Sequence, residues 1–312
     1  MTGSGRNGDV FIECTSTLSA DASARVDALA HAASHADGVQ PLSDHALQHI
    51  RHGGSGVRHV LLWAGGELAA YAHLDASDVI SGPQAELAVA PAHRAAGHGR
   101  ALVRTLLDNS PDGRLQLWSH GELPVARRLA EGMGFTRTRV LALMGRPLGD
   151  SLPQPDLAPG MRLRAFVPGQ DEPALLALNN AAFAGHPEQG GWEMADLNGR
   201  ERESWFDPAG LLLLERDEGL VGFVWTKVHG TDGAGHAHRP VGEIYVLGVS
   251  PDAHRGGLGR TLVAAGLAYL SARGLPDVIL YVDESNAAAL ALYERAGFTR
   301  RGVDVLFTKR PR

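Results

Sequence analysis

The sequence is short of cysteine and of long apolar runs, and each shortage excludes a class of protein. Cys14 is the only cysteine among 312 residues, so no intramolecular disulfide can form and a reducing cytoplasm is the expected setting. The polar, Gly-rich start from Met1 to Asp9 has no apolar signal-peptide segment. No run of about 18 apolar residues occurs in the chain, so we expect a protein that is neither exported nor membrane-spanning.

Basic charge is also in short supply. The net charge is −6, and the sequence does not suggest the clustered basic surface that binds the phosphate backbone of nucleic acid. Nucleic acid is therefore not expected as the main partner. What is present, 44% hydrophobic and 21% charged residues, is typical of a soluble globular protein. A length of 312 residues favours two domains, since one domain usually has about 100–200 residues.

The 15 histidines raise the question of a metal site. His236 and His238, with His229 nearby, fit neither the HExxH pattern nor a Cys/His zinc pattern, so we expect no metal. The other clusters are predicted to be exposed helix residues: His31 and His35, and His45, His49 and His52.

An internal repeat is the most informative feature of the sequence. The Gly-rich stretch 89–102 is matched by 249–262, at a spacing of 160 residues, and the stretch 129–137 is matched by 292–300, at a spacing of 163. Upstream, Leu68 corresponds to Leu220 at a spacing of only 152, so the second copy has gained a loop before its Gly-rich turn. We predict that this loop runs from His229 to Pro240.

The junction between the copies is expected in the Pro-rich stretch from Pro147 to Pro159, because closely spaced prolines favour extended linkers. The predicted division is a first module at 1–148, a linker at 149–160 and a second module at 161–312.

Each copy follows the order strand, strand, Gly-rich turn, helix, strand, helix, strand. In the second copy we predict strands at 211–214, 221–227, 243–249 and 278–282, a helix at 261–273, and a helix capped by Asn286 and stopped at Gly297. The expected fold class is α/β, with two tandem modules that each have a mixed central sheet flanked by helices.

A Gly-rich turn that joins a strand to a helix N-terminus aims several backbone N–H groups at one point, which suits a pyrophosphate. The same turn is also typical of an ordinary tight connection, but its repetition with matching surroundings favours a binding site. Neither copy has the Gly-Lys-Ser/Thr ending of a P-loop, and the glycine spacing differs from that of a Rossmann site.

Arg94, Gly97 and Gly99 match the (Gln/Arg)-x-x-Gly-x-(Gly/Ala) acetyl-CoA motif, and the chain therefore resembles the GNAT-type N-acetyltransferases. The second copy keeps Gly257 and Gly259 but has His254 at the first position. The resemblance implies one acetyl-CoA in each module. The implied binding residues are Leu87, Ala88, Val89, Ala95, Ala96, Gly97, His98, Gly99 and Arg100 in the first module, and Leu247, Gly248, Val249, His254, Arg255, Gly256, Gly257, Leu258, Gly259, Arg260 and Asn286 in the second.

Acetyl transfer to an amine needs a base for the amine and an acid for the departing thiolate. Glu243 opens the strand before the second turn and Tyr293 lies on the last helix, whereas the first copy has Pro83 and Ala130 at these positions. From the residues alone, a solvated carboxylate and a core aromatic are the alternatives for Glu243 and Tyr293. The family resemblance implies a general base and a general acid, so we expect catalysis in the second module only.

The segment 179–192, within a similarity that runs from Asp37 to Val282, resembles the tandem GNAT family of mycothiol synthases. That family acetylates the cysteinyl amine of desacetylmycothiol, a cysteinyl glucosaminyl-inositol. The implied acceptor residues are Asp44, in place of an expected glutamate, Glu188, Lys227, Glu243 and Tyr281.

Because Asp44 belongs to the first module, we expect the acceptor in the cleft between the modules. The expected protein is a cytoplasmic monomer that binds a small thiol-sugar, without nucleic acid, membrane or metal. Two alternatives stay open: a GNAT for another amine, such as an aminoglycoside, a polyamine or a protein N-terminus, and a non-catalytic acetyl-CoA sensor.

Overall fold

A computed structural model describes residues 10–54, 56–77, 82–110, 113–149, 151–185, 189–203, 205–217, 219–229, 240–253 and 256–310, and the side chains of Asp44 and His52 lie outside the description. The strands within these ranges are β1 (Val10–Thr15), β2 (Val57–Ala64), β3 (Glu67–Asp75), β4 (Gln84–Val89), β5 (Leu115–His120), β6 (Thr136–Pro147), β7 (Met161–Ala165), β8 (Leu211–Arg216), β9 (Gly219–His229), β10 (Val241–Val249), β11 (Asp277–Asp283) and β12 (Thr299–Lys309). The α-helices are α1 (Ala20–Asp37), α2 (Asp44–His52), α3 (His98–Asp108), α4 (Pro124–Glu131), α5 (Glu172–Ala182), α6 (Met194–Glu201), α7 (Leu258–Ala272) and α8 (Ala287–Arg295).

The chain forms two compact units, and they differ from the contiguous modules predicted from the sequence. The first unit comprises Met1–Leu141 together with Gly302–Arg312, and the second comprises Ala142–Arg301. Residues of β12 from Asp304 to Lys309 pair antiparallel with β5, which explains why the end of the chain belongs to the first unit. The predicted boundaries 1–148, 149–160 and 161–312 are corrected accordingly.

The first unit has a mixed sheet with helices on both faces. Its strand order is β1-β2-β3-β4-β5-β12-β6, counting the parts of β6 and β12 that belong to the unit, and β4 and β5 are parallel. On one face, Val26 of α1 and Ile50 of α2 pack in a buried cluster with Tyr71. On the other, Leu102 of α3 and Ala130 of α4 pack in a second cluster.

The second unit repeats this architecture. Its order is β6-β11-β10-β9-β8-β7, and β10 and β11 are parallel. Leu175 of α5 and Leu197 of α6 pack on one face, which we call the α5 face. Leu262 of α7 and Tyr293 of α8 pack on the opposite face, which we call the α7 face. The predicted α/β fold with helices around each sheet is confirmed.

The predicted elements of the second copy are confirmed in type and place, with one refinement at the end of β9. Asn286 caps α8, since its side chain accepts a hydrogen bond from Ala289 N at 3.0 Å, and Gly297 adopts a φ of 83° directly after the helix. His229, expected to open the inserted loop, is the last residue of β9, and residues 230–239 of that loop, with His236 and His238, lie outside the described residues. In the described ranges, no helix is long and apolar enough to cross a membrane.

Candidate active site

The Gly-rich turn of the second unit leads from β10 into α7. Gly257, the N-cap of α7, has φ 74° and ψ 15°, a left-handed conformation that favours glycine, and no side chain caps the helix. The Cβ of any other residue at Gly259 would lie 3.1 Å from Leu292 Cδ2, so glycine lets α7 pack closely on α8. The first backbone N–H groups of α7 are therefore available to an anion.

The first unit builds the same turn. Gly97 has φ 86° and ψ 0° at the uncapped start of α3, and a Cβ at Gly99 would lie 3.2 Å from Leu129 Cδ2. Arg94, the first residue of the motif, forms two hydrogen bonds of 2.8 Å with the carboxylate of Asp37 at the end of α1. Its guanidinium thus holds the turn against α1.

In both units a gap opens between two parallel strands beside the turn. Strands β10 and β11 pair only at Gly242↔Val278 and Glu243↔Ile279, although both strands continue beyond these residues. Strands β4 and β5 likewise pair only at Gln84↔Gln116 and Ala85↔Leu117. Each gap exposes one edge of the strand that leads into the turn, where an extended ligand can pair with the backbone. The gaps flank the predicted ligand residues Leu247–Val249 and Leu87–Val89.

Glu243 lies where the gap of the second unit begins. The residue is 7% exposed, and its Oε2 is 2.6 Å from His229 Nε2. In the antiparallel register Glu243 lies opposite Lys227 of β9. Tyr281, which is 43% exposed, follows Ile279 by two residues and so shares the face of Glu243. Three predicted acceptor residues of this unit are therefore brought to the α5 face.

Aromatic rings surround the amine of Lys227. Its Nζ lies 5.0 Å from the ring centre of Trp205 and 6.0 Å from that of Tyr245, distances typical of cation–π contacts. Trp205 and Tyr245 meet edge to face at 5.1 Å. The two rings therefore place aromatic surface beside the Lys227 ammonium on the α5 face.

Tyr293 lies on the α7 face, opposite the face that carries Glu243. Its ring meets Phe298 edge to face at 5.9 Å, and burial raises the pKa of Tyr293 to about 12. The phenol is therefore protonated at neutral pH. Glu243 and Tyr293 lie on opposite faces of the sheet. One ligand could contact both side chains only if it passed through the gap between β10 and β11.

Several predicted site residues have other contacts or lie outside the description. Arg260 is 3.6 Å from Asp156, and Arg100 donates to Gly132 O at 3.4 Å. Outside the described residues lie Glu188, His254 and Arg255, together with the side chain of Asp44. The remaining turn residues, Ala95, Ala96, His98, Gly256 and Leu258, lie in the two turns or at the first positions of α3 and α7.

The first unit has a buried polar network on the sheet face that corresponds to the α5 face. His120 Nδ1 lies 3.0 Å from Asp304 Oδ2, and its Nε2 lies 3.5 Å from Glu86 Oε1. Although burial opposes a charge there, the hydrogen bond to Asp304 and the attraction of Asp304 and Glu86 raise the pKa of His120 to about 10. Glu86 also accepts from Ser43 N at 2.6 Å. These groups form a structural network in which the contact of His120 Nε2 with Glu86 is an ion pair and not a hydrogen bond.

His229, Trp205 and Tyr245 were not predicted from the sequence as site residues. His229 had a detectable signal, since it follows Lys227 by two residues and therefore lies on the same face of a strand. Trp205 had none, because only folding brings the segment after α6 against β9 and β10.

Comparison with known proteins identifies the family. The acetyltransferase (GNAT) family model matches residues 27–135 and again 174–298, once in each unit. A mycothiol acetyltransferase of Thermobispora bispora is 54% identical over 283 residues, covering 90% of this chain and 94% of that protein.

Solved structures agree on the fold. A GCN5-related N-acetyltransferase from Sphaerobacter thermophilus has a TM-score of 0.76 at 27% identity, covering 96% of this chain and 95% of that one. A tandem GNAT protein from the clavulanic acid biosynthesis pathway has a TM-score of 0.75 at 17% identity, covering 96% and 98%. Acetyltransferases of this fold use acetyl-CoA, and the expectation of a tandem GNAT enzyme is confirmed. The chain belongs to the acetyltransferase (GNAT) family and, within it, to the mycothiol acetyltransferases.

Proposed function

We propose that the second unit transfers acetyl from acetyl-CoA to the cysteinyl amine of desacetylmycothiol and so forms mycothiol. The observation that carries the proposal is Glu243, a carboxylate held by His229 where β10 and β11 separate. The likeness to mycothiol acetyltransferases over 90% of the chain supports the choice of acceptor.

Glu243 acts as the general base. An acceptor amine is protonated at neutral pH and attacks the thioester carbonyl only after it loses a proton to Glu243, directly or through one water. The hydrogen bond from His229 fixes the carboxylate oxygen Oε2, and the low exposure of Glu243 limits competition from bulk water. His229 is thus a positioning residue.

Tyr293 stabilises the leaving group, which is the thiolate of coenzyme A. As the new C–N bond forms and the C–S bond breaks, the sulfur of coenzyme A takes the negative charge and accepts a hydrogen bond from the Tyr293 phenol. The second proton of the amine nitrogen is released to water as the neutral amide forms. Because burial raises the pKa of Tyr293 to about 12, full transfer of its proton to a thiolate of pKa about 8.5 is unfavourable. Its main contribution is therefore a hydrogen bond that stabilises the departing thiolate.

Acetyl-CoA binds along the opened edge of each gap. Backbone groups of Leu247 to Val249 pair with the pantetheine arm, and the N-terminus of α7 holds the pyrophosphate. The same geometry at Leu87 to Val89 and α3 supports one acetyl-CoA in the first unit as well.

In the first unit the strand position of Glu243 is taken by Gln84, not by the expected Pro83: Gln84 lies opposite Asp75 as Glu243 lies opposite Lys227, and the bulge between Ile244 and Val246 gives β10 one extra residue. A glutamine is no base, and Ala130 replaces the acid, so the first unit binds without catalysis.

Lys227, Glu243 and Tyr281 bind the acceptor, and Asp44 and Glu188 belong to the same proposal through the family resemblance. Ammonium, carboxylate and phenol groups together suit an acceptor with many hydroxyls and one amine. A monomer in the cytoplasm completes the proposal, and the free, exposed thiol of Cys14 suits a reducing compartment.

The test is a competition between amines for purified protein and acetyl-CoA. Because desacetylmycothiol carries its own thiol, product is followed by mass spectrometry of the acetylated amine. We expect desacetylmycothiol to exceed cysteine, glucosamine, a polyamine and an aminoglycoside in kcat/KM by at least about 100-fold, the discrimination that well-placed polar contacts give. Equal rates for simple amines would contradict the assignment of the acceptor, and no acetylation of any amine would favour a sensor.

A further inference from the structure

A second chemical cluster lies in the first unit, on α2 and the end of β3. His45 and His49 are four residues apart on α2 and therefore on one side of the helix. Asp75 ends β3, and His73 precedes it by two residues on the same face of the strand. The sequence predicted exposed histidines on α2, but His49 is half-buried and faces β3.

The donor atoms of this cluster are close together. His45 Nε2 lies 2.9 Å from Asp75 Oδ2, and the rings of His45 and His49 have centres 4.2 Å apart. One ligand atom from each of His45, His49 and Asp75 lies within 4.8 Å of the other two. In a tetrahedral zinc site, donors at about 2.0–2.1 Å from the metal are about 3.3 Å apart. The side chain of His45 is 65% exposed and has room to turn toward that spacing.

Neighbouring groups already orient two of the donors. Asp75 Oδ1 accepts a hydrogen bond from Ser77 N at 2.8 Å, which leaves Oδ2 directed at His45. His73, only 3% exposed, places its Nε2 3.0 Å from His49 Nδ1. Such outer hydrogen bonds typically fix the orientation of metal-binding side chains. A plain surface ion pair would need neither of them.

We propose that His45, His49 and Asp75 form a binding site for a divalent transition metal, with zinc as the expected ion, and that His73 orients His49. Imidazole nitrogens with one carboxylate are a donor set that suits zinc, and three protein ligands leave a fourth position for water. The site joins α2 to β3 within the first unit. None of its three ligands is among the residues assigned to acetyl transfer, and the site replaces the expectation that the protein has no metal.

Cobalt titration of the chelator-treated, full-length protein tests the proposal, because bound Co²⁺ has visible absorption bands that report its ligands. We expect one Co²⁺ per chain, with bands that zinc displaces. His45→Ala removes a largely exposed ligand and should weaken Co²⁺ binding at least about 100-fold. Loss of an outer-shell partner typically weakens metal binding by about 10–100-fold, and loss of a direct ligand should weaken it at least as much. Asp75→Asn, which keeps the acceptor for Ser77, should do the same.

His93→Ala is the matched control, because His93 forms a comparable pair with Glu67, at 3.3 Å, on the same unit, and no third donor joins this pair among the described residues. This variant should retain the bands and the affinity. Thermal melting adds a second readout: zinc should raise the Tm of the wild type and of His93→Ala and leave that of His45→Ala unchanged. Absence of Co²⁺ bands in the wild type, or equal affinity in His45→Ala and His93→Ala, would overturn the proposal.

Discussion

The two units have the same glycine turn and the same strand gap, but they differ on the sheet face beside that gap. The second unit presents Lys227, His229 and Glu243 there, and the first unit has Asp75, Ser77 and Gln84 at the corresponding positions. Backbone geometry therefore survived in both copies, whereas the side chains that move protons are present in one. Binding depends on glycines and strand pairing, and catalysis depends on a few residues that can be lost separately.

Glu243→Gln should have the largest effect on turnover, because it removes the proposed base of the second unit. The amide keeps the size of the side chain but cannot accept a proton, so kcat should fall by about 10²–10⁴-fold, the usual contribution of a general base. Steady-state kinetics with the cysteinyl acceptor measures the loss. Unfolding by urea should be nearly unchanged, and a variant with wild-type turnover would remove Glu243 from the mechanism.

His120→Gln should lower the stability of the protein and leave kcat unchanged, the opposite of the result expected for Glu243→Gln. Without the imidazolium, the buried carboxylates of Glu86 and Asp304 are left uncompensated, and losing one partner of such a group costs about 3–5 kcal/mol. Denaturant unfolding should show this loss, while kcat of the folded fraction stays near that of the wild type.

The pH dependence of unfolding checks the same network. The folded pKa of His120, about 10, lies above the ordinary value of 6.5, so its stabilising contribution is complete below pH 6.5. It is lost as the pH rises through 10. Wild-type protein should therefore lose more stability than His120→Gln over this range, and parallel curves would contradict the role of His120.

Tyr293→Phe should have a smaller effect on catalysis. Loss of one hydrogen bond to the thiolate should lower kcat by about 10–100-fold. In the wild type, kcat should show no loss from this phenol up to about pH 11, since its pKa is about 12.

Tyr269→Phe is the control for Tyr293→Phe. The pKa of Tyr269 is also about 12, raised by burial and by its hydrogen bond to Asp207, but the residue lies away from the gap. This variant should lose stability and keep its rate. A larger loss of kcat in Tyr269→Phe than in Tyr293→Phe would contradict the assignment.

His229→Ala should have a modest effect on rate and little effect on acceptor binding. Removing the hydrogen bond to Glu243 Oε2 should lower kcat about tenfold, because the carboxylate loses its fixed orientation, and leave KM for the acceptor within about twofold. Loss of folding stability with an unchanged kcat of the folded fraction would instead show a purely structural role.

Most of the fold and part of the site could be predicted from the sequence. The repeat revealed the helix that begins after Asn286 and the turns at Gly97 and Gly257, because glycine and capping residues act locally. The pairing of β12 with a strand of the first unit could not be predicted from such local signals. It depends on pairing between Asp304 and His120, which are far apart in the chain. The aromatic rings around Lys227 were missed for the same reason.

The division of labour is tested most directly by a matched pair of glycine substitutions, Gly97→Val and Gly257→Val. A Cβ at either position meets no atom within 4 Å, and both residues have positive φ, so each change acts through the backbone of its own turn. Steady-state kinetics is combined with the number of acetyl-CoA molecules bound per chain.

We predict that Gly257→Val raises KM for acetyl-CoA about tenfold or more, a loss of about 1.4 kcal/mol. Gly97→Val should remove the acetyl-CoA of the first unit and leave kcat and KM within about twofold of the wild type, a difference of about 0.4 kcal/mol. Equal losses of kcat/KM in the two variants would contradict the claim that the first unit binds and the second catalyses.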